Sequence, residues 1–368
     1  MYCPEIATIC LTPDTPGIQA LDRLNQGRKG IVLVVDSKRR LLGTVVDGDV
    51  RRALLGGIDL QAPLGEVLAH KRRLGHPDAV TAGLDASGDQ LLELMQAHDV
   101  RQIPLLDSQG TVADLVTQKD IRPDCEPGLS AMIMAGGYGK RLYPLTKDCP
   151  KPLLPVGDRP LLRLTIDQLR QVGIRRVSIS THYLSEMIQD ALGDGLDLDM
   201  EISYLTEEKP LGTAGALGLL DQPTEPLLII NGDIITQVDF RSMLEFHRQH
   251  EALLTVAVRK FEVNVPFGVM ETEGERVVGL AEKPVYSFFI NAGIYLLEPR
   301  AVQFVNGGER LDMTDLIARL LADGETVVSF PILEYWLDVG NPSDYAQAQE
   351  DARQGRLAEP GRPKEDEA

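Results

Sequence analysis

The chain lacks several features that would each mark a class of protein. Its 368 residues include only four cysteines, Cys3, Cys10, Cys125 and Cys149, and their spacing matches no metal-binding pattern. Scattered thiols fit a reducing compartment better than a disulfide framework, so a cytoplasmic protein is expected. Basic residues are outnumbered, 37 Lys and Arg against 55 Asp and Glu, for a net charge of −18. A phosphate backbone wants a basic surface, so no nucleic-acid partner is expected. Any site for an anionic ligand must be a local concentration of cations. No apolar run reaches the roughly 18 residues that span a bilayer, and residues 1–12 carry no basic stretch ahead of an apolar one. Neither a membrane partner nor a secretory signal is predicted.

What the chain does have is a glycine-rich loop behind a strand. Ala131 to Ala135 is a short apolar run that reads as a buried strand, and it stops at Gly136, Gly137 and Gly139. Glycines there let the backbone approach a ligand and leave N–H groups free to face phosphate oxygens. Arg141 and Lys151 follow within the span of one loop. Open amides beside two fixed cations make a site for a polyphosphate. The loop lacks the Lys-Ser/Thr of a P-loop and the full Gly-x-Gly-x-x-Gly of a dinucleotide fold. Cys149 adjoins the loop, but with no His near it in sequence it is not read as a nucleophile.

Past the loop, strand-like runs (176–181, 200–205, 226–231, 253–258) alternate with helix-like runs (160–172, 184–192, 213–220, 240–250). Such alternation predicts a mostly parallel sheet with helices on both faces and ligands at the carboxyl ends of its strands. One strand ends in Asn231-Gly232-Asp233, and a strand-end carboxylate beside a polyphosphate is placed to bind Mg²⁺. Asp338, in Tyr335-Trp-Leu-Asp-Val-Gly340, offers a second carboxylate to the same ion. Before residue 122 a weak repeat is visible. Residues 30–50 and 101–121 each read as strand, polar turn, strand, then an Asp opening a helix, with helical patterns before them at 17–26 and 89–98. The expected organisation is a repeated α+β module at 1–122, a linker at 123–129, the α/β domain at 130–352, and a disordered tail at 353–368.

Five elements in order resemble the sugar-phosphate nucleotidyltransferases over residues 131 to about 348. They are Gly136-Gly-x-Gly-x-Arg-Leu142 with Lys151-Pro152, Leu211-Gly-Thr-Ala-Gly215, Asn231-Gly-Asp233, Glu282-Lys-Pro284 with Asn291-Ala-Gly-Ile-Tyr295, and Asp338. The resemblance implies a Rossmann-like fold and transfer of a nucleotidyl group from an NTP to a sugar 1-phosphate. It implies that Ala135, Gly136, Gly137 and Gly139 line the nucleotide, with Gly212 and Thr213 at the base. Arg141 and Lys151 would neutralise phosphate charge, and Asp233 and Asp338 would hold Mg²⁺. Glu282, Lys283 and Asn291 would take the sugar phosphate. The branch it is most similar to includes the mannose-1-phosphate guanylyltransferases, which favours GTP. Uridylyl and thymidylyl transfer stay open, as does a catalytically silent nucleotide-sugar sensor.

The repeat resembles a tandem pair of cystathionine-β-synthase (CBS) domains, a module that often binds adenine nucleotides and packs against another copy, so a homo-oligomer is expected. In that family a Thr or Ser three residues before the Asp contacts ribose or phosphate. The second copy keeps the pair as Thr117 and Asp120, whereas the first has Val46 before Asp49. A CBS pair ahead of this transferase domain resembles the glucosamine-1-phosphate guanylyltransferases of bacterial legionaminic acid synthesis.

Overall fold

The structure, a computed structural model, describes residues 4–26, 29–76, 79–121 and 127–357. Cys3, Cys125, most of the expected linker and most of the expected tail lie outside the described residues. The described residues form two compact units, one on each side of 122–126.

The larger unit is built on a seven-stranded sheet. Its strands are β1 (Ser130–Met134), β2 (Arg176–Thr181), β3 (Glu201–Thr206), β4 (Leu227–Asn231), β5 (Leu254–Asn264), β6 (Val285–Leu297) and β7 (Val327–Ile332). They lie in the order β3-β2-β1-β4-β6-β5-β7. Only β6 runs against its neighbours; the other pairings are parallel. The apolar runs of β1 and β4 need cover on both faces, as strands of a parallel sheet do. Ala131 and Ile133 pack on one side with Leu162, Ile166 and Leu169 of α1 (Leu161–Gln171) and Phe240, Met243 and Leu244 of α2 (Phe240–Gln249). Met132 points the other way, onto Leu217 and onto Leu316 and Leu320 of α3 (Met313–Ala322). Each such large side chain contributes about 1.5–3 kcal/mol on burial. Strand order reverses between β1 and β4, so the crevice above their carboxyl ends is where a ligand fits.

Two elements depart from expectation. The predicted helix at 213–220 is a single α-turn, Gly212–Gly215, followed by a 3₁₀ turn, Ala216–Leu219. Backbone packs directly on it: a Cβ at Gly215 would lie 2.4 Å from the Glu309 carbonyl oxygen, and one at Gly218 would lie 2.9 Å from that of Asn306. The strand expected at 253–258 runs on to Asn264. Beyond Arg259, its last pair with β7, it continues only because β6 accompanies it, from Lys260↔Phe289 to Asn264↔Val285.

In the smaller unit the repeat is structural. Cys10–Leu11, Ile31–Val35 and Leu41–Val46 form one three-stranded sheet, and Ala82–Gly83, Gln102–Leu106 and Val112–Thr117 form another of the same plan. Asp36 and Asp107 close equivalent turns by accepting from the N–H groups of Arg40 and Thr111, each at 2.9 Å. An antiparallel bridge, Arg40↔Thr111, joins the two copies.

Candidate active site

The glycine loop leaves β1 where Ala135, buried, donates its N–H to the Ser180 carbonyl oxygen at 2.9 Å. A Cβ on Gly136 would lie 2.8 Å from Oε1 of Glu207, so a side chain there would have to displace that carboxylate. Gly137 faces open space. Gly139 has φ +62°, and a Cβ there would meet the Thr146 methyl at 2.8 Å and Lys151 Cβ at 3.2 Å. The loop therefore rests on the stem of Lys151. Thr146 fixes it by donating its hydroxyl to the Gly139 carbonyl oxygen at 2.9 Å.

Lys151 opens a 3₁₀ turn, Lys151–Leu153, and its ammonium donates to Oδ2 of Asp233 at 2.5 Å, with the two side chains 11% and 23% exposed. Asp233 is placed by close backbone packing. Gly232 donates to the Met134 carbonyl oxygen at 2.9 Å, and a Cβ on it would lie 2.8 Å from that oxygen. Val339 donates to the Asp233 carbonyl oxygen at 2.9 Å, and Ile234 pairs with Asp338 in a short antiparallel ribbon, Ile234–Thr236 with Trp336–Asp338. Two carboxylates distant in sequence thus share one crevice with a lysine. Burial and the neighbouring Asp233 raise the pKa of Asp338, while Lys151 and Arg141 oppose them. Arg141 reaches the same place: the position of a Cβ on Gly340 is 3.2 Å from its guanidinium, 3.3 Å from Asp338 Oδ1 and 3.5 Å from Asp344 Oδ2.

Two buried acceptors in this region have no hydrogen-bond partner, Asp338 Oδ1 and Asn231 Oδ1. A buried oxygen without a partner costs about 1–3 kcal/mol, so it marks a place for a donor or a cation. Asp233 and Asp338, the latter with an orphaned oxygen, are hard-oxygen donors of the kind Mg²⁺ takes. No group of three or more His, Cys, Asp or Glu side chains suited to a metal occurs among the described residues, so remaining ligands would come from phosphate or water.

Residues 130–355, more than half of the chain, match the nucleotidyl transferase family, and 6–56 and 72–123 each match the CBS domain. The chain belongs to the nucleotidyl transferase family. It is 32% identical over 243 residues to a mannose-1-phosphate guanylyltransferase of Mycobacterium tuberculosis, covering 63% of this chain and 67% of that one. It is 34% identical over 229 residues to the catalytic subunit beta of the Danio rerio mannose-1-phosphate guanylyltransferase, covering 59% and 62%. Against most such relatives it spans less than two thirds of their length. Among solved structures it is similar to a Bacillus anthracis protein given as a glucose-1-phosphate thymidylyltransferase in complex with sucrose. That likeness has a TM-score of 0.51 and 28% identity, and covers 61% of this chain and 95% of the other.

In this member of the family the loop at 211–215 is bound to residues 311–313. Gly212 has φ +82°, and a Cβ there would lie 2.6 Å from both the Leu311 carbonyl oxygen and Asp312 Oδ1. This glycine is therefore required by the protein's own packing, whatever approaches its other side. Thr213 does not cap its own turn; its hydroxyl oxygen accepts from the Met313 N–H at 2.8 Å, at the start of α3. Glu282 and Lys283 are exposed, at the neck of a hairpin formed by Val269–Glu273 and Arg276–Ala281, with Lys283 at φ +46°. Among the described residues no hydrogen bond or ion pair joins either to the Lys151–Asp233–Asp338 cluster. Asn291, on β6, accepts from the Gly293 N–H at 3.0 Å.

Sequence reasoning missed Glu207 and Asn231. Glu207 is buried and accepts from the Ser180 hydroxyl and, at 2.8 Å, from the Leu211 N–H. It ties the end of β2 to the loop at 211–215 directly beneath Gly136. The backbone carbonyl of Glu207 holds His182 Nδ1 at 2.8 Å, and His182 Nε2 meets the Tyr138 hydroxyl at 3.0 Å. The tip of the glycine loop is thereby latched to the chain after β2. Asn231, in Asn-Gly-Asp, could have been found as the residue ending a buried strand beside a predicted metal ligand.

In the smaller unit the two copies diverge. Asp49 is buried against Arg52 at 2.6 Å and Lys71 at 3.0 Å, and caps Val46 N–H at 3.1 Å. Asp120 is exposed, accepts from both the N–H and the hydroxyl of Thr117 at 2.8 Å, and has Lys29 at 3.7 Å. Burial works against ionisation of Asp120, but Thr117 and Lys29 outweigh it and hold the carboxyl below its ordinary pKa.

Proposed function

We propose that the larger unit transfers a nucleotidyl group from an NTP, GTP in preference, to a sugar 1-phosphate, giving an NDP-sugar and pyrophosphate. The acceptor is glucosamine 1-phosphate or a related hexose 1-phosphate. The observation that carries this reading is the crevice at the β1/β4 switch point. There Lys151 is fixed on Asp233, Asp338 presents an orphaned oxygen, and Arg141 lies alongside, near a glycine loop that turns at Gly139 with φ +62°. The identities of 32% to 34% with mannose-1-phosphate guanylyltransferases support GTP.

The reaction is an in-line displacement. An oxygen of the sugar phosphate, already ionised at neutral pH, attacks the α-phosphorus, and the bond to the β-phosphate bridging oxygen breaks. No general base is required, so positioning and charge neutralisation carry the catalysis. Lys151 stabilises charge on the α-phosphate, and Arg141 stabilises the departing pyrophosphate. Gly136, Gly137 and Gly139 keep the loop low over the nucleotide, with Glu207 and the Tyr138–His182 contact holding it in register. Asp233 and Asp338 would hold Mg²⁺, which when bound would offset phosphate charge. Lys283, Glu282 and Asn291 receive the sugar phosphate.

A second reading concerns the smaller unit. Thr117, Asp120 and Lys29 present a carboxylate for ribose hydroxyls beside a cation for phosphate, which favours a nucleotide at the second copy only, and the CBS match favours adenine as its base. A cytoplasmic setting fits free Cys10 and Cys149, and no helix among the described residues is long and apolar enough to cross a membrane.

The test is pyrophosphate release from the five NTPs crossed with glucosamine, N-acetylglucosamine, mannose and glucose 1-phosphates, with Mg²⁺ and with EDTA. Mg²⁺-dependent release with GTP and one sugar is expected. Release with another base corrects the nucleotide and keeps the class. Silence across the panel from folded protein sinks the enzyme reading in favour of a sensor.

A further inference from the structure

Asn231 ends β4 after Leu227, Leu228, Ile229 and Ile230, all of them buried. Alternate residues of a strand share a face, so its side chain leaves the sheet on the side of Ile229. Ile229 packs there with Ala214 and Leu217, and the loop at 211–215 walls that face. On one flank Asn231 pairs with Met134, the last residue of β1. On the other its Nδ2 lies against Gly293 of β6, where a Cβ would be 2.7 Å from that nitrogen. Asn231 does not use its amide inside the protein. Oδ1 is buried without a hydrogen-bond partner, and Nδ2 makes no hydrogen bond among the described residues. Asn291, Asn306 and Asn341 each engage theirs. An apolar side chain would fill the same place with no polar group unmatched, so packing does not account for the amide.

We infer that Asn231 is a specificity-determining residue whose amide hydrogen-bonds a hydroxyl or amine of the bound substrate, next to the reacting phosphate. The inference rests on the transferase reading of the crevice. An unpaired Oδ1 needs a donor and an unpaired Nδ2 needs an acceptor, and a substrate hydroxyl can serve as either. Asp233 lies two residues on, at most about 7 Å along the chain. Two parts of the substrates hang that close to the phosphorus under attack. One is the ribose of the NTP, with its 2′- and 3′-hydroxyls. The other is the ring of the sugar phosphate, with its C2 substituent beside the phosphate-bearing carbon. The two carry the same hydrogen-bonding chemistry, and deoxy analogues separate them.

Two comparisons on the full chain with Mg²⁺ test it: GTP against its 2′-deoxy and 3′-deoxy forms, and glucosamine 1-phosphate against 2-deoxyglucose 1-phosphate. Each is read as kcat/KM for pyrophosphate release and, apart from turnover, as a dissociation constant by calorimetry. In one comparison the wild type should prefer the hydroxyl- or amine-bearing substrate by about tenfold or more. Asn231→Leu should bring that ratio close to one and leave the other ratio alone. Its melting temperature should hold or rise, because the substitution removes an unpaired buried group. Should leucine overpack and lower the melting temperature, Asn231→Ala, which removes the amide without adding bulk, decides by the same ratios. Ratios unchanged by the substitutions in both comparisons overturn the inference, as does a wild type with no preference in either. Silence toward every sugar phosphate fails the transferase reading alone; the calorimetric ratios then decide, and a wild type that binds none of these ligands overturns the inference as well.

Discussion

At the residue scale the crevice depends on contacts that a single atom can break. Lys151→Ala should reduce kcat at least ~10²-fold, about 3 kcal/mol of transition-state stabilisation, with the fold retained. Asp233→Ala should do the same. Because the two side chains are joined at 2.5 Å, their losses belong to one unit, and the double variant should be little worse than either single one. Steady-state pyrophosphate release with melting curves checks this, and near-normal turnover in either single variant removes both residues from the mechanism. Gly139→Ala should fail differently. It forces an alanine to φ +62° and drives a methyl to 2.8 Å from Thr146, so a loss of about 1–3 kcal/mol in stability should accompany the loss of activity. The sequence brought Arg141 and Lys151 together as two cations in one loop, and Asp233 and Asp338 through the family resemblance; the structure puts all four in one crevice. Glu207 was not legible, since its meaning lies in Gly136, a residue of another strand's loop that no local pattern connects to it.

At the element scale, α2 is fastened to the sheet by a buried histidine. His247 meets the Thr255 hydroxyl of β5 at 2.7 Å and Glu298, just past β6, at 3.2 Å. Burial, reinforced by Arg248 and His250, lowers its pKa from 6.5 to about 4. The unfolded chain therefore takes up a proton near pH 6.5 that the folded chain refuses until near pH 4. Stability is full above that window and falls as pH drops through it, by up to about 3 kcal/mol. Glu298, whose pKa burial raises, works in the opposite sense and offsets part of the loss. His247→Gln should flatten the profile. Trp336, the chain's single tryptophan, lies in the larger unit and reports its denaturant midpoint across this range; a profile unchanged by the substitution would remove His247 as the cause. Elements with one clear periodicity were legible: β2 and the helix at 17–26 begin and end where the sequence pattern places them. The overrun of β5 was not, because Arg-Lys-Phe-Glu-Val-Asn reads as a polar end until β6 is seen beside it. The turn at 212–219 was misread as a helix because apolar spacing cannot reveal backbone packing on Gly215 and Gly218.

At the scale of the whole molecule, the two copies of the repeat hold the equivalent aspartate in different surroundings, and the proposed consequence is measurable. In the first copy Asp49 is enclosed with Arg52 and Lys71, so its carboxylate is already engaged by two buried cations. In the second copy Asp120 faces solvent with Thr117 and Lys29 around it. Titration calorimetry of the full chain with AMP and with ATP should therefore show one nucleotide per chain. A ligand at a hundred times its dissociation constant should add about 2.7 kcal/mol to the stability of the state that binds it. Asp120→Ala should abolish the binding heat and remove the cap at Thr117, at about 1 kcal/mol, while leaving the fold intact. Asp49→Ala should leave the stoichiometry at one but destabilise the smaller unit by about 3–5 kcal/mol, the consequence of stranding buried cations without their partner. Two nucleotides per chain, or binding that survives Asp120→Ala, would place the ligand elsewhere. Absence of any binding heat would make the pair a packing module, with Asp120 serving only to cap the turn at Thr117.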